Sequence, residues 1–448
     1  MGSWRCPVPL RQEYCGGASC LLGAVALGRD DLNRHAVGVG ECQARPVPLL
    51  GLENHLGLLA GPRFFRGGLC MADVAIVRCE DYTAVEGALR QAIELAEGLD
   101  WVRPGMKIAL KVNLVAAGKP DSAVTTHPLF VAALARLLIA RGAEVRVGDS
   151  PGGLYTAAFV GRIYAASGME AVEETGAQLN RDFSQREAVF PEGKTLRSFQ
   201  YTAWLDWADA VINVCKLKTH GMMGMSCAAK NLFGVVPGTL KPEYHFRHSR
   251  PEDFAGMILD LDDFVHPRLS VCDAIVGMEG NGPTAGTPRM VGAVLAARSP
   301  HALDLACAHI IGIRPDDVPT LAAAQRRGDI PATAAELDLA GALFSVPGYE
   351  LVTRRSSLEF TQPFPGPLGT LAGKAMRRFM RARPAVEMDS CVGCEQCARL
   401  CPAHAIRMRR GVPHINRHVC IGCFCCQEFC PKGAMKVKRT AIARFLGG

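Results

Sequence analysis

The sequence lacks any long apolar run. Nothing in its 448 residues approaches the ~20 consecutive apolar positions that a membrane-spanning helix requires. The short apolar stretch from Cys20 to Leu27 is followed by Arg29, Asp30 and Asp31 without a convincing cleavage site, so secretion is not expected either. Aromatic residues make up only 6%, and the basic residues are not interleaved with them, which argues against a nucleic-acid partner. There is no G-x-x-x-x-G-K-[ST] loop and no G-x-G-x-x-G fingerprint, so two common nucleotide-binding devices are absent. Charge is ordinary for a globular chain, at 21% of residues with a net +7, and the length allows two or three domains.

Cysteine is abundant, and its placement is informative. Of the 19 cysteines, nine fall between Cys391 and Cys430 and the other ten are scattered, which reads as a cytoplasmic metalloprotein with reduced thiols. The last segment repeats with a period of 29. Cys391, Cys394, Cys397, Cys401, Pro402 and Ala405 recur as Cys420, Cys423, Cys426, Cys430, Pro431 and Ala434. Each copy reads C-x-x-C-x-x-C-x-x-x-C-P, the bacterial ferredoxin run, in which the fourth cysteine leads away to ligate the other cluster. Two [4Fe–4S] clusters are expected, one on Cys391, Cys394, Cys397 and Cys430, the other on Cys420, Cys423, Cys426 and Cys401. Gly393 and Gly422 keep the loops slim, so that backbone N–H groups can approach the sulfides. Paired C-x-x-C motifs also bind zinc, but the third cysteine, the C-P ending and the exact repeat argue against zinc knuckles. Cys425 reads as a packing thiol beside Cys426.

The expected organisation follows from texture. Residues 1–70 are irregular and rich in Gly, Pro, Arg and Cys; they read as an extension, and Met71 as an alternative start. Residues 71–345 alternate strand and helix signals, the pattern of an α/β layered domain with a largely parallel sheet. Strands are expected at 71–78, 107–114, 144–149, 210–215, 269–277 and 292–297, and helices at 84–98, 126–141 and 301–312. Residues 346–384 form a Pro-containing linker with a basic stretch, and 385–440 a small α+β ferredoxin-type domain. The basic residues Lys374, Arg377, Arg378, Arg381, Arg383, Arg407, Arg409 and Arg410 read either as a solvated face or as a patch for an acidic electron-carrier protein.

In open α/β sheets, ligands collect beyond the C-terminal strand ends, and polar residues gather there. They are Lys111 and Asn113; Asp149 and Ser150; Lys216, Lys218 and His220; and Glu279 and Asn281. Each set has two readings. Asp149 to Gly153 serves as a plain turn or as an anion cradle. Lys216, Lys218 and His220 alternate, so they share one side if the strand continues, as an anion site or as surface charge. Lys230 and Asn231 close a Gly- and Met-rich stretch, 221–234, in which His220, Met225 and Cys227 read as core packing or as soft metal ligands. Tyr244 and His245 are candidate proton donors, and His127, just before Pro128, reads as a helix cap.

The ordered motifs from Lys107 to Leu114, Val124 to Pro128, Gly148 to Gly153, Lys216 to Gly221, Lys230 to Gly234 and Gly277 to Pro283 resemble the "domain of unknown function 362" family. Its members often carry a C-terminal two-cluster ferredoxin. The resemblance covers about residues 72–345 plus 385–437. It implies iron–sulfur binding and no agreed substrate. The α/β domain is also distantly similar to the nickel-dependent lactate racemase group, without a residue-by-residue match of nickel-ligand histidines.

The expected function is an iron–sulfur reductase that passes low-potential electrons to an anionic small molecule. Lys218, His220, Tyr244 and His245 would be catalytic, and Lys111, Asn113, Asp149, Ser150, Lys216, Lys230, Asn231, Glu279 and Asn281 would bind the substrate. The alternatives are a non-catalytic electron carrier or redox subunit, and a metal- or cofactor-handling protein.

Overall fold

The computed structural model describes residues 65–66, 69–70, 72–352 and 383–438. Of the first 70 residues it describes only a two-stranded antiparallel pairing of Phe65–Arg66 with Leu69–Cys70. The expected irregular extension and the start at Met71 therefore fall outside the described residues, as does most of the linker.

The α/β domain is built on a nine-stranded sheet. We number its strands β1 (Val74–Arg78), β2 (Lys107–Lys111), β3 (Glu144–Gly148), β4 (Gln178–Leu179), β5 (Ala210–His220), β6 (Gly224–Ser226), β7 (Leu269–Glu279), β8 (Thr287–Ala297) and β9 (Leu339–Ala340). Their order is β9-β1-β8-β7-β5-β2-β3-β4, with β6 folded back on β5. From β7 through β5, β2 and β3 to β4 all pairs are parallel, whereas β8 runs antiparallel to both β7 and β1. All eleven residues of β5 are buried, as expected of a strand covered on both faces.

Helices α1 (Val85–Ala96), α2 (Pro128–Ile139) and α3 (Ala157–Ser167) pack with one face of the sheet around Leu89, Phe130, Leu134, Leu110 and Ile212. The opposite face is covered by α4 (Ala228–Asn231), α6 (Pro251–Val265), α7 (Pro300–Ile311) and α8 (Pro319–Arg327), around Phe254, Ile258, Leu303 and Leu321; α5 (Lys241–Arg247) lies between α4 and α6 in the chain. Amphipathic spacing explains α1, whose buried Val85, Ala88, Leu89, Ala92, Ile93 and Ala96 form one stripe. α2 starts at Pro128 because His127 caps it, Nδ1 accepting from the Leu129 N–H at 3.3 Å.

The ferredoxin module has helices α9 (Gln396–Arg399) and α10 (Cys425–Glu428) and strands β10 (Arg383–Val386), β11 (Ile406–Arg409), β12 (Val412–Ile415) and β13 (Met435–Lys438). β10 pairs antiparallel with β13, and β11 with β12. This two-fold layout is the structural form of the 29-residue repeat.

Candidate active site at the strand ends

Strand β5 continues past the expected end at residue 215 and reaches His220, so Lys216, Lys218 and His220 do alternate along one strand. They are not surface charges. Lys111, Lys216 and Lys218 are at most 1% exposed, and Lys230 and Lys241 are below 10%.

These buried lysines divide by partner. The Lys216 ammonium pairs with Asp273 at 2.8 Å and donates to the Tyr82 hydroxyl at 2.9 Å. Lys111 pairs with Asp149 at 2.9 Å and donates to Asn231 Oδ1 and the Val112 carbonyl. Among the described residues Lys218 pairs with no carboxylate; it donates to Asn113 Oδ1 at 2.6 Å and to the Val124 carbonyl at 2.9 Å. Lys241 donates to the Ser150 carbonyl. Among the described residues Lys230 meets no hydrogen-bond acceptor, and its ammonium lies 5.2 Å from the Phe233 ring centre.

Lys218, Lys230 and Lys241 face a common cleft of roughly 450 Å³, part of it open to solvent, with Asn113, Asp149, Ser150 and Asn231 in the same wall. The Ser150 hydroxyl is buried and bonded to nothing among the described residues. Burial lowers Lys218 to about 7, helped by the charges of Lys230 and Lys216. Burial likewise lowers Lys241 to about 7, against the pull of Asp149. Nearby His245 is stacked on Phe254 at 4.4 Å, neither ring nitrogen meets a hydrogen-bond partner among the described residues, and burial lowers it to about 3. It is a neutral imidazole at physiological pH.

The far wall of the cleft belongs to the ferredoxin module. Helix α10 carries Cys425 and Cys426, and it projects Glu428, with Phe429 after it, into the cleft. Glu428 Oε1 lies 2.7 Å from His220 Nε2, close but poorly aligned for a hydrogen bond. His220 Nδ1 accepts from the Met222 and Met223 N–H groups, which leaves the neutral ring's proton on Nε2, facing Glu428. Burial opposes ionisation of Glu428, but Lys230 and His220 outweigh it and hold the carboxyl well below its usual range. Gln427 Nε2 donates to the carbonyls of Asn281 (2.9 Å) and Gly282 (3.2 Å), and the Val437 N–H donates to Asn281 Oδ1. Phe429 sits on Gly152 so closely that a Cβ there would collide with its ring.

Of the expected substrate residues, Asn113, Asp149, Ser150, Lys230 and Asn231 line the cleft together with Lys218. Lys111 stands behind it as the partner of Asp149. The other three, and the expected catalytic Tyr244, stand elsewhere. Lys216 is spent on Asp273. Asn281 binds the ferredoxin module. Glu279 accepts from the Glu350 N–H at 3.0 Å at the end of β7. The Tyr244 hydroxyl accepts from the Gln200 N–H, inside the helical core. His220 and Cys227 do not combine as soft ligands, because the His220 ring is committed as above and Cys227 faces other thiols. Sequence reasoning missed Lys241, Ser226, Gln427, Glu428 and Phe429. One signal was available. Between the last two cysteines of each motif the first copy has Ala398-Arg399-Leu400 and the second Gln427-Glu428-Phe429, with Arg399 exposed but Gln427 and Glu428 buried.

The cysteines fit the expected cofactor. A cavity in the module is lined by Cys391, Cys394, Cys397 and Cys430, the first expected ligand set. Burial raises the Cys397 thiol to about 11, with the charges of Cys430, Cys394 and Cys391 adding to it. Burial also raises Cys426, and there the neighbouring charges are led by Cys423, Cys420 and Cys401, the second set. The Ala405 and Ala434 N–H groups donate to Cys401 and Cys430 Sγ, both at 3.2 Å. Cys425 is fully buried against Cys423 and Phe429, as a packing thiol should be.

Residues 383–431 match the family described as a 4Fe-4S dicluster domain, and residues 108–309 match "Domain of unknown function (DUF362)". The Thylakoid-associated protein sll1697 of Synechocystis sp. is 33% identical over 274 residues, covering 59% of this chain and 82% of that protein. The chain belongs to the DUF362 family. It is an iron–sulfur protein whose DUF362 domain is joined to a ferredoxin domain with 4Fe–4S ligands. Among solved structures, the lactate racemase apoprotein from Thermoanaerobacterium thermosaccharolyticum is 12% identical with a TM-score of 0.35, covering 54% of this chain and 58% of that one. Among the described residues of this DUF362 protein, no helix is long and apolar enough to cross a membrane.

Proposed function

We propose that this DUF362 protein is a reductase with two [4Fe–4S] clusters, held by the two ligand sets above, that reduces a small anionic molecule bound in the lysine-lined cleft. One observation carries this reading: the helix that bears Cys426 also forms a wall of the cleft, opposite three buried lysines that make no direct salt bridge among the described residues. When bound, the clusters supply single electrons at low potential. The chain's residues would do the rest. Lys230, Lys241 and the protonated Lys218 would hold the anionic group, and Asn113, Ser150 and Asn231 would orient it by hydrogen bonding. Lys218, lowered to about 7, is half protonated near neutrality and would give a proton from Nζ to the reduced product. Phe429 and the α10 docking contacts would keep bulk water out of the cleft.

The first ligand set lies outward. Cys394 is exposed, and Met408 beside its cavity lies between exposed Arg407 and Arg409. An acidic electron-donor protein would dock there and deliver electrons, with the protein acting in the cytoplasm. The carrier reading keeps one supporting observation: Glu428 already offers a carboxylate to the cleft lysines.

The test begins with anaerobic purification and iron and sulfide analysis. The reduced protein is then screened against small carboxylates, phosphates and sulfur oxyanions by loss of its reduced-cluster signal. Reoxidation by one compound class, abolished in Lys218→Ala with iron content unchanged, supports a reductase. Reversible reduction indifferent to every anion supports a carrier.

A further inference from the structure

Strand β5 has two faces, and only the even-numbered one serves the cleft. On the odd-numbered face Cys215 points into the opposite core. Its register partner on β7 is Cys272, and these thiols meet Cys227, which precedes α4, and Cys307 on α7. Cys227 Sγ lies 3.6 Å from Cys215 Sγ, 3.5 Å from Cys272 Sγ and 3.7 Å from Cys307 Sγ. The sulfurs of Cys215, Cys227 and Cys272 all lie within 4.8 Å of one another. All four residues are at most 1% exposed.

These separations decide among chemistries. A disulfide needs ~2.05 Å between sulfurs, so the thiols are unbonded. Four thiolates at ~2.3 Å around one tetrahedral ion stand about 3.8 Å apart, the edge of that tetrahedron. The three separations from Cys227 match that edge, and Cys215, Cys227 and Cys272 sit together within the reach of a single ion, while Cys307 touches Cys227 from just outside that mutual 4.8 Å group. Cubane ligands would have to spread over four separate irons, and these sulfurs are too close for that. Buried cysteine is ordinary packing when it stands alone. Three that meet one another, with a fourth from α7 in contact with the shared Cys227, are a candidate ligand set. Soft sulfur donors suit copper(I), zinc and iron–sulfur centres, and with the cubane excluded by spacing a tetrahedral thiolate set fits zinc.

We propose that Cys215, Cys227, Cys272 and Cys307 bind a structural zinc ion behind the cleft. The ion would tie β5, β7 and α7 to the start of α4, the helix that carries Lys230 and Asn231. The carboxylate of Asp304, one turn before Cys307, is placed to support it: it accepts from the Ala228 N–H at 2.6 Å and the Ala229 N–H at 3.2 Å, fixing the backbone just after Cys227. Binding releases the thiol protons, and since the site is closed to solvent the ion would enter as the chain folds.

The experiment uses the full chain, purified without oxygen from zinc-supplemented cells and washed with a weak chelator. Metal analysis should find one zinc per chain beyond the cluster iron, and X-ray absorption at the zinc edge should find three to four sulfur neighbours at ~2.3 Å. Cys227→Ser and Cys272→Ala should each lower zinc at least tenfold while cluster iron stays put; the absorption spectrum of the unmutated protein decides the matter if both variants misfold. Zinc below a tenth of an equivalent, zinc coordinated by nitrogen or oxygen, or zinc retained in folded Cys227→Ser would overturn the assignment. A mononuclear iron or copper ion in its place would overturn it too.

Discussion

Raising the pH from 6 to 8 should loosen an anion bound in the cleft by about a hundredfold. Lys218 and Lys241 each titrate at about 7, because burial disfavours their charged forms. Lys218 faces Lys230, Lys216, Glu428 and Asp149; Lys241 faces Asp149, Lys111, Lys230 and Glu428. Nearby His245 is already neutral throughout this range. With a value of about 7, each lysine is about nine-tenths charged at pH 6 and about one-tenth charged at pH 8. An anion that needs both charges loses about tenfold for each, or about 2.7 kcal/mol in total. The sign follows from linkage: the complex holds protons that the free protein has shed above pH 7, so binding takes up protons and weakens as pH rises. The assay is calorimetric binding of a monocarboxylate found in the ligand screen, chosen because its own charge is constant in this window, in two buffers of different ionisation enthalpy. Lys218→Met should bind more weakly at pH 6 and lose only about tenfold by pH 8. A flat affinity from pH 6 to 8, or a hundredfold loss that persists in Lys218→Met, would refute the reasoning.

Further expectations rest on other contacts. Asp273→Ala strands the fully buried Lys216 ammonium and should cost about 3–5 kcal/mol in urea unfolding. Gly234→Ala places a methyl group against Asp149 and Lys111 and should destabilise by a similar amount, whereas Gly87→Ala, with nothing within 4 Å, should be neutral or mildly stabilising. Gln427→Ala removes two hydrogen bonds to the β7–β8 connection and should make the ferredoxin module more susceptible to limited proteolysis, with iron content unchanged. Cys401→Ser should alter the electron paramagnetic signature of the cluster held by Cys420, Cys423 and Cys426, and Cys430→Ser that of the other. The reverse pattern would refute the exchange of fourth ligands.

The legible parts of this chain are those where one physical requirement dominates. Thiolate spacing specified the ferredoxin module because few other structures need that arrangement. The sheet was legible because strands buried on both faces read as continuous apolar runs, and the charged groups ending them marked the cleft. Lys218 stood out because Lys216, Lys218 and His220 alternate at the end of a strand that opens on apolar residues. Lys241 did not, because a lysine before a proline at a helix start is unremarkable in sequence. Glu428 was hidden for a different reason: its importance comes from the packing of the ferredoxin helix against β5, a contact between segments about 200 residues apart that no local pattern encodes. Tyr244 misled in the opposite direction, since an aromatic hydroxyl near a histidine looks catalytic until its partner proves to be a backbone amide. The four scattered cysteines carried no local signal, because β-pairing and α7 bring them together.

The most direct test of electron transfer into the cleft is single-turnover stopped-flow mixing of the reduced protein with the anion selected by the screen. The unmutated protein should reoxidise with a rate that saturates in anion concentration, and Lys230→Ala, with its full complement of iron, should reoxidise at least tenfold more slowly at the same concentrations. Equal rates in the two proteins, or a rate that rises linearly without saturation, would contradict a bound acceptor in the cleft.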